Sequence, residues 1–164
     1  MRKIISLFTV MVLCFSMVGC GVNREKHPLA LYKDSKIVAE IGMERKEVEK
    51  KLGKAIDQTT SVYEYSQVKV DIDEYEELTI IYTNDYVDRM VVSNKEYHDF
   101  DGRSPGDTAD ENIIVSRFFD NDLNIVEMPE NISAEKRKQI ASYRLVYGIE
   151  NNTIQKIIIK TGAI

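Results

Sequence analysis

The sequence predicts an α+β fold built from two tandem repeats, each a short helix followed by antiparallel strands, behind a removable leader. Three observations predict it. Segments that read as short helices open near two glycines, Gly42 and Gly106. Apolar and polar residues then alternate with period two, the mark of a half-buried strand. Residues 145–159 also align without a gap on residues 78–92, with Asn151 on Asn84, Lys156 on Arg89 and Ile157-Ile158-Ile159 on Met90-Val91-Val92.

The chain opens with Met1-Arg2-Lys3 and an apolar run from Ile4 to Val18 that ends in small residues, the anatomy of a signal peptide over residues 1–19. The run is shorter than the roughly 20 apolar residues that cross a bilayer. Met17-Val18-Gly19-Cys20 resembles the bacterial lipobox. The resemblance implies cleavage before Cys20 and a diacylglycerol on its sulfur; the alternative is a plain signal peptide cut near Gly19. Acyl chains anchor a protein through roughly 0.8 kcal/mol per buried methylene. The expected location is therefore the extracytoplasmic face of the cell membrane, lipid-anchored. Abundant Lys, Ile, Asn and Glu with no Trp fit a Gram-positive source.

Without the leader, 145 residues remain, with 20 basic and 27 acidic groups and a net charge of −7. That balance argues against nucleic acid as a partner. Cys14 leaves with the leader, so no disulfide and no cysteine metal ligand is available to the rest.

Residues 20–35 read as a polar tether with Pro28. Repeat 1 spans residues 36–95. In it, residues 42–53 form a helix with Val48 and Leu52 on one face and Gly53 as its stop. Val68, Val70 and Ile72 alternate with Lys69, Asp71 and Asp73 as a first strand that Tyr63 and Tyr65 begin. Residues 78–82 and 87–92 make a hairpin around Asn84-Asp85. Repeat 2 spans residues 96–164. Thr108 and Glu111 have capping-box spacing, and Ile114 and Phe118 sit four residues apart, so a second helix is expected there. An inserted short helix opens at Asn131 or Ser133, before the second hairpin.

Ile41-Gly42-Met43, then Glu47-Val48 and Leu52-Gly53-Lys54, resemble the opening of SmpA/OmlA-like and beta-lactamase-inhibitor-protein-like (BLIP-like) domains. The resemblance covers about a dozen residues closely. It departs from those domains at Glu44, where Thr is usual, and at Ala55, where Pro is usual. It implies small helical elements packed on a curved sheet that binds proteins and performs no catalysis.

The chemistry-bearing residues are few. His27 and His98 stand in no recognisable catalytic motif, and no nucleophile, base and orienting group occur together. No cofactor is implied, since zinc spacing, a phosphate loop and a dinucleotide fingerprint are all absent. Two acidic stretches remain. Residues 99–111 carry Asp99, Asp101, Asp107, Asp110 and Glu111, part of which resembles a calcium loop, although acids at a helix start explain them more simply. Residues 71–77 interleave acids with aromatics at a hairpin tip. There Tyr63, Tyr65, Asp73 and Tyr75 are the candidate partner-binding residues, tyrosine giving contact area at low entropic cost.

The function expected from these features is a lipoprotein anchored through Cys20 that acts as a non-catalytic binding module for an envelope or extracellular protein. The alternative is an envelope sensor of a small ligand or cation at Asp99 to Glu111.

Overall fold

A computed structural model describes residues 27–63, 66–111, 113–128 and 131–162 of the chain. Cys20, the leader and Tyr65 lie outside the described residues. Eight strands form one antiparallel sheet: β3 (Asp57–Val62), β4 (Lys69–Tyr75), β5 (Leu78–Thr83), β6 (Tyr86–Val92), β7 (Ser116–Phe119), β8 (Ile125–Val126), β9 (Tyr143–Glu150) and β10 (Thr153–Thr161). Their spatial order is β3-β4-β5-β6-β10-β9-β7-β8. A separate hairpin joins β1 (Ala30–Lys33) to β2 (Lys36–Glu40), and two short helices complete the described residues: α1 (Arg45–Leu52) and α2 (Ala134–Ile140).

This architecture overturns the tandem α+β repeats. The fold is a predominantly antiparallel sheet with two short helices, not two helix-plus-sheet units. The helix expected after Thr108 does not form. Instead Gly106 and Asp107 exchange backbone bonds with Ile154, Ala109 donates to the carbonyl of Asn152, and Ser116–Phe119 pairs with β9. The β-branched run Ile113-Ile114-Val115 loses side-chain freedom in a helix, and pairing with β9 and β10 satisfies the neighbouring backbone. The two similar hairpins, β5–β6 and β9–β10, do exist, but β10 pairs directly with β6 and fuses them into one sheet. The tether also ends sooner than expected, since Ala30–Lys33 is strand.

Local chemistry explains the elements that do match. Helix α1 buries Val48, and its C-cap Gly53 sits at φ 82°, a region open to glycine without a Cβ penalty. No side chain caps its start at Glu44. Helix α2 opens at Ser133, whose hydroxyl accepts the Lys136 N–H. Three hairpins turn on residue pairs with positive φ: Asp34-Ser35, Asn84-Asp85 and Asn151-Asn152. Such turns match the right-handed twist of the strands they join.

One sheet face is covered by the β1–β2 hairpin and α1. Leu31, Ala39, Met43 and Val48 pack there against Leu78, Ile80, Tyr82, Met90, Ile157 and Ile159. Fully burying one such aliphatic side chain stabilises the fold by roughly 1.5–3 kcal/mol. Strand register places Asp73, Ile80, Met90, Ile159, Leu145 and Arg117 in one cross-strand row on this face. The opposite row, displaced by one residue, runs Ile72, Ile81, Arg89, Lys160, Arg144 and Phe118, each of them half-buried.

Candidate functional site

Of the residues expected to form a partner-binding patch, Asp73 and Tyr75 lie close enough to interact, Tyr63 lies against Arg89, and Tyr65 is outside the described residues. In β4 the register places Asp71 opposite Tyr82 and Asp73 opposite Ile80, so the acidic residues face the covered side and Ile72 the other. Asp73 is 1% exposed. Arg45 of α1 grips it with Nε on Oδ2 at 3.0 Å and a second guanidinium bond to Oδ1, while Gln58 donates to Oδ1 at 3.2 Å. The bond to Asp73 raises the Arg45 pKa further above its ordinary value. A buried charge held by a two-pronged partner is a packing element. Tyr75 is half-buried beside Tyr82, and burial raises the pKa of both phenols. Tyr63 lies elsewhere, its ring 5.7 Å from the guanidinium carbon of Arg89.

The acidic stretch from Asp99 is similarly engaged. Asp99 is fully buried; its Oδ1 accepts the N–H groups of Asp101 at 2.8 Å and Arg103 at 3.0 Å, and its Oδ2 accepts the Tyr147 hydroxyl. Burial first, then this bond, pushes the Tyr147 phenol up. Arg117 pairs with Asp101, and Ser104 N–H donates to Asp107. Among the described residues, no group of three or more His, Cys, Asp or Glu is arranged to hold a metal ion. His98 stacks on Tyr32 with ring centroids 5.4 Å apart, and its Nδ1 lies 2.9 Å from the Asp99 carbonyl.

The sheet leaves a different feature open. Strand β3 is an outer strand, and all six of its residues are exposed. Its inner edge pairs with β4 from Asp57↔Glu74 to Val62↔Lys69 without a register shift. Tyr63 N–H bonds inward to the Val68 carbonyl at 3.0 Å. Backbone groups alternate sides along an antiparallel strand, so those of Val62, Thr60 and Gln58 point to the free side. Natural edges are usually blunted by lysine, proline or a bulge, and Asp-Gln-Thr-Thr-Ser-Val has none of them. Exposed apolar residues lie close by in sequence, Ile56 at 76%, Val62 at 50% and Val68 at 38%. The sequence signal for this strand is the β-prone run Thr59-Thr60-Ser61-Val62, which lacks the alternation that marks half-buried strands.

Compared with protein families, curated proteins and solved structures, the chain matches none of them.

Proposed function

We propose that this chain is an extracytoplasmic lipoprotein, anchored through Cys20, that serves as a non-catalytic protein-binding module of the cell envelope. Its partner adds an extended segment to the free edge of β3. The observation that carries this reading is the edge itself: an exposed outer strand, in unshifted register from Asp57 to Val62, with outward backbone groups and no lysine or proline. Strand addition draws affinity from main-chain hydrogen bonds and specificity from alternate side chains. Here the alternate side chains are Thr59 and Ser61 on one face and Gln58 and Thr60 on the other, flanked by the apolar Ile56 and Val62.

The test compares the wild-type chain with Thr60→Pro. Proline removes the outward N–H of residue 60 but no bond of the β3–β4 ladder, and edge strands accept it. Thr60→Val is the control, because it loses only the 2.8 Å hydroxyl bond to Asp71. Envelope proteins enriched by the wild type and by Thr60→Val are expected to be lost with Thr60→Pro at unchanged Tm. Retention of the same proteins by Thr60→Pro rules out the β3 edge as the docking element.

A further inference from the structure

The sheet face opposite the β1–β2 hairpin and α1 carries a row of like charges that Asp88 offsets only in part. Arg89 stands directly opposite Lys160, and Lys160 directly opposite Arg144, on three adjacent strands. Directly opposed side chains of a sheet have Cβ atoms roughly 4.5–5.5 Å apart, and like charges there are destabilising. None of the three forms an ion pair among the described residues. A carboxylate that acts on Lys160 is Asp88, whose Oδ1 accepts the Thr161 hydroxyl at 2.8 Å. In a chain with net charge −5, three adjacent cations on one face are not the average surface.

The arrangement is held in place rather than loose. Arg144 donates from Nε to the Ser116 hydroxyl at 2.7 Å and lies 4.9 Å from the Phe118 ring centre. Its two terminal nitrogens make no hydrogen bond among the described residues. At the other end of the row, Arg89 rests on Tyr63. Lys160 is half-buried, and desolvation, then Arg89 and Arg144, lower its pKa. Arg144 and Lys160 also line a cleft of about 360 Å³ with Phe118 and Ile132, and Arg137 of α2 completes its cationic wall. No carboxylate is among the described residues lining it.

We propose that this cleft binds a phosphate group, with Arg144 as a bidentate donor, Lys160 as a point charge and Arg137 closing from the helix. A planar guanidinium fork matches oxyanion geometry, and an ammonium on a flexible stem completes it. A bound anion relieves the repulsion along Arg89, Lys160 and Arg144. The apolar Phe118 and Ile132 leave room beside the anion for the body that carries the phosphate. The site is separate from the β3 edge, so the two are tested independently.

Titration calorimetry on the full chain at fixed ionic strength uses pyrophosphate as the soluble probe. Sedimentation with phosphatidylglycerol vesicles, against phosphatidylcholine vesicles, probes a lipid headgroup. Binding of pyrophosphate identifies a soluble phosphate ligand, and preference for phosphatidylglycerol alone identifies a membrane headgroup. In either case Lys160→Gln and the exposed Arg137→Gln are each expected to weaken binding about tenfold, the loss of one charge-assisted hydrogen bond, with Lys95→Gln and Thr60→Pro unchanged. Failure of both probes to bind, or binding that neither Lys160→Gln nor Arg137→Gln weakens, overturns the proposal.

Discussion

At the scale of single residues, Arg45 and Asp73 tie α1 to the sheet across 28 positions of sequence. Arg45→Met leaves a buried carboxylate with Gln58 as its one side-chain donor among the described residues. The expected loss is about 2 kcal/mol of unfolding free energy, a hydrogen bond to a charged group being worth roughly 1.5–3 kcal/mol. The double variant Arg45→Met with Asp73→Leu regains most of it, because removing both charges also removes the desolvation penalty. Urea titration of the three proteins reads the difference. Cys20 belongs to the same scale. Cys20→Ala is expected to move the protein from the membrane to the soluble fraction, and unchanged membrane association in fractionated cells counts against the lipid anchor. Neither the buried state of Asp73 nor its partner was legible in the sequence. The alternation Val68, Val70, Ile72 argues for one apolar side facing inward, whereas β4 buries Val70 on one face and Asp73 on the other.

At the scale of elements, legibility followed how local the determining interaction is. Helix α1 needs only Val48 and Leu52 four residues apart and a glycine stop, all within 12 residues of sequence. The hairpin turns need only Asn84-Asp85 and Asn151-Asn152, residue types that tolerate positive φ. The stretch after Thr108 carries a helix-start spacing, yet its backbone is claimed by the distant strands β10 and β9. The turn chemistry is itself testable. Asn152 sits at φ 58°, where a side chain is less favourable than none. Asn152→Gly is expected to raise stability by up to about 1 kcal/mol, and Asn152→Val to lower it, read as shifts in Tm.

At the scale of the whole molecule, β6 and β10 decide the behaviour. Four ladder pairs from Ile157↔Val92 to Lys160↔Arg89 join the two halves of the chain, and one core runs beneath both hairpins. A domain of this kind unfolds cooperatively, whereas tandem repeats with separate cores come apart in steps. Ile80→Ala and Ile159→Ala, one in each hairpin, are therefore expected to lower the same single transition by about 2–5 kcal/mol each. Two resolved transitions, with each variant shifting only one, contradict a shared core. The free edge of β3 and the cationic row of the open face are also products of this scale. Each depends on which strands are neighbours, and neither is a motif in the chain.

The sequence by itself determined the acidic balance, the short helix at Arg45–Leu52, and the hairpin turns at Asn84-Asp85 and Asn151-Asn152. These depend on composition or on neighbours within one or two turns of chain. Only the tertiary structure decided that two similar hairpins form one sheet, that Asp73 is buried, that residues 108–111 and 113–118 are not helical, and that Arg89, Lys160 and Arg144 stand in a row. Side chains on a strand alternate with period two, so a one-residue difference in pairing exchanges the buried and open faces, and pairing between distant strands is not written in any short segment.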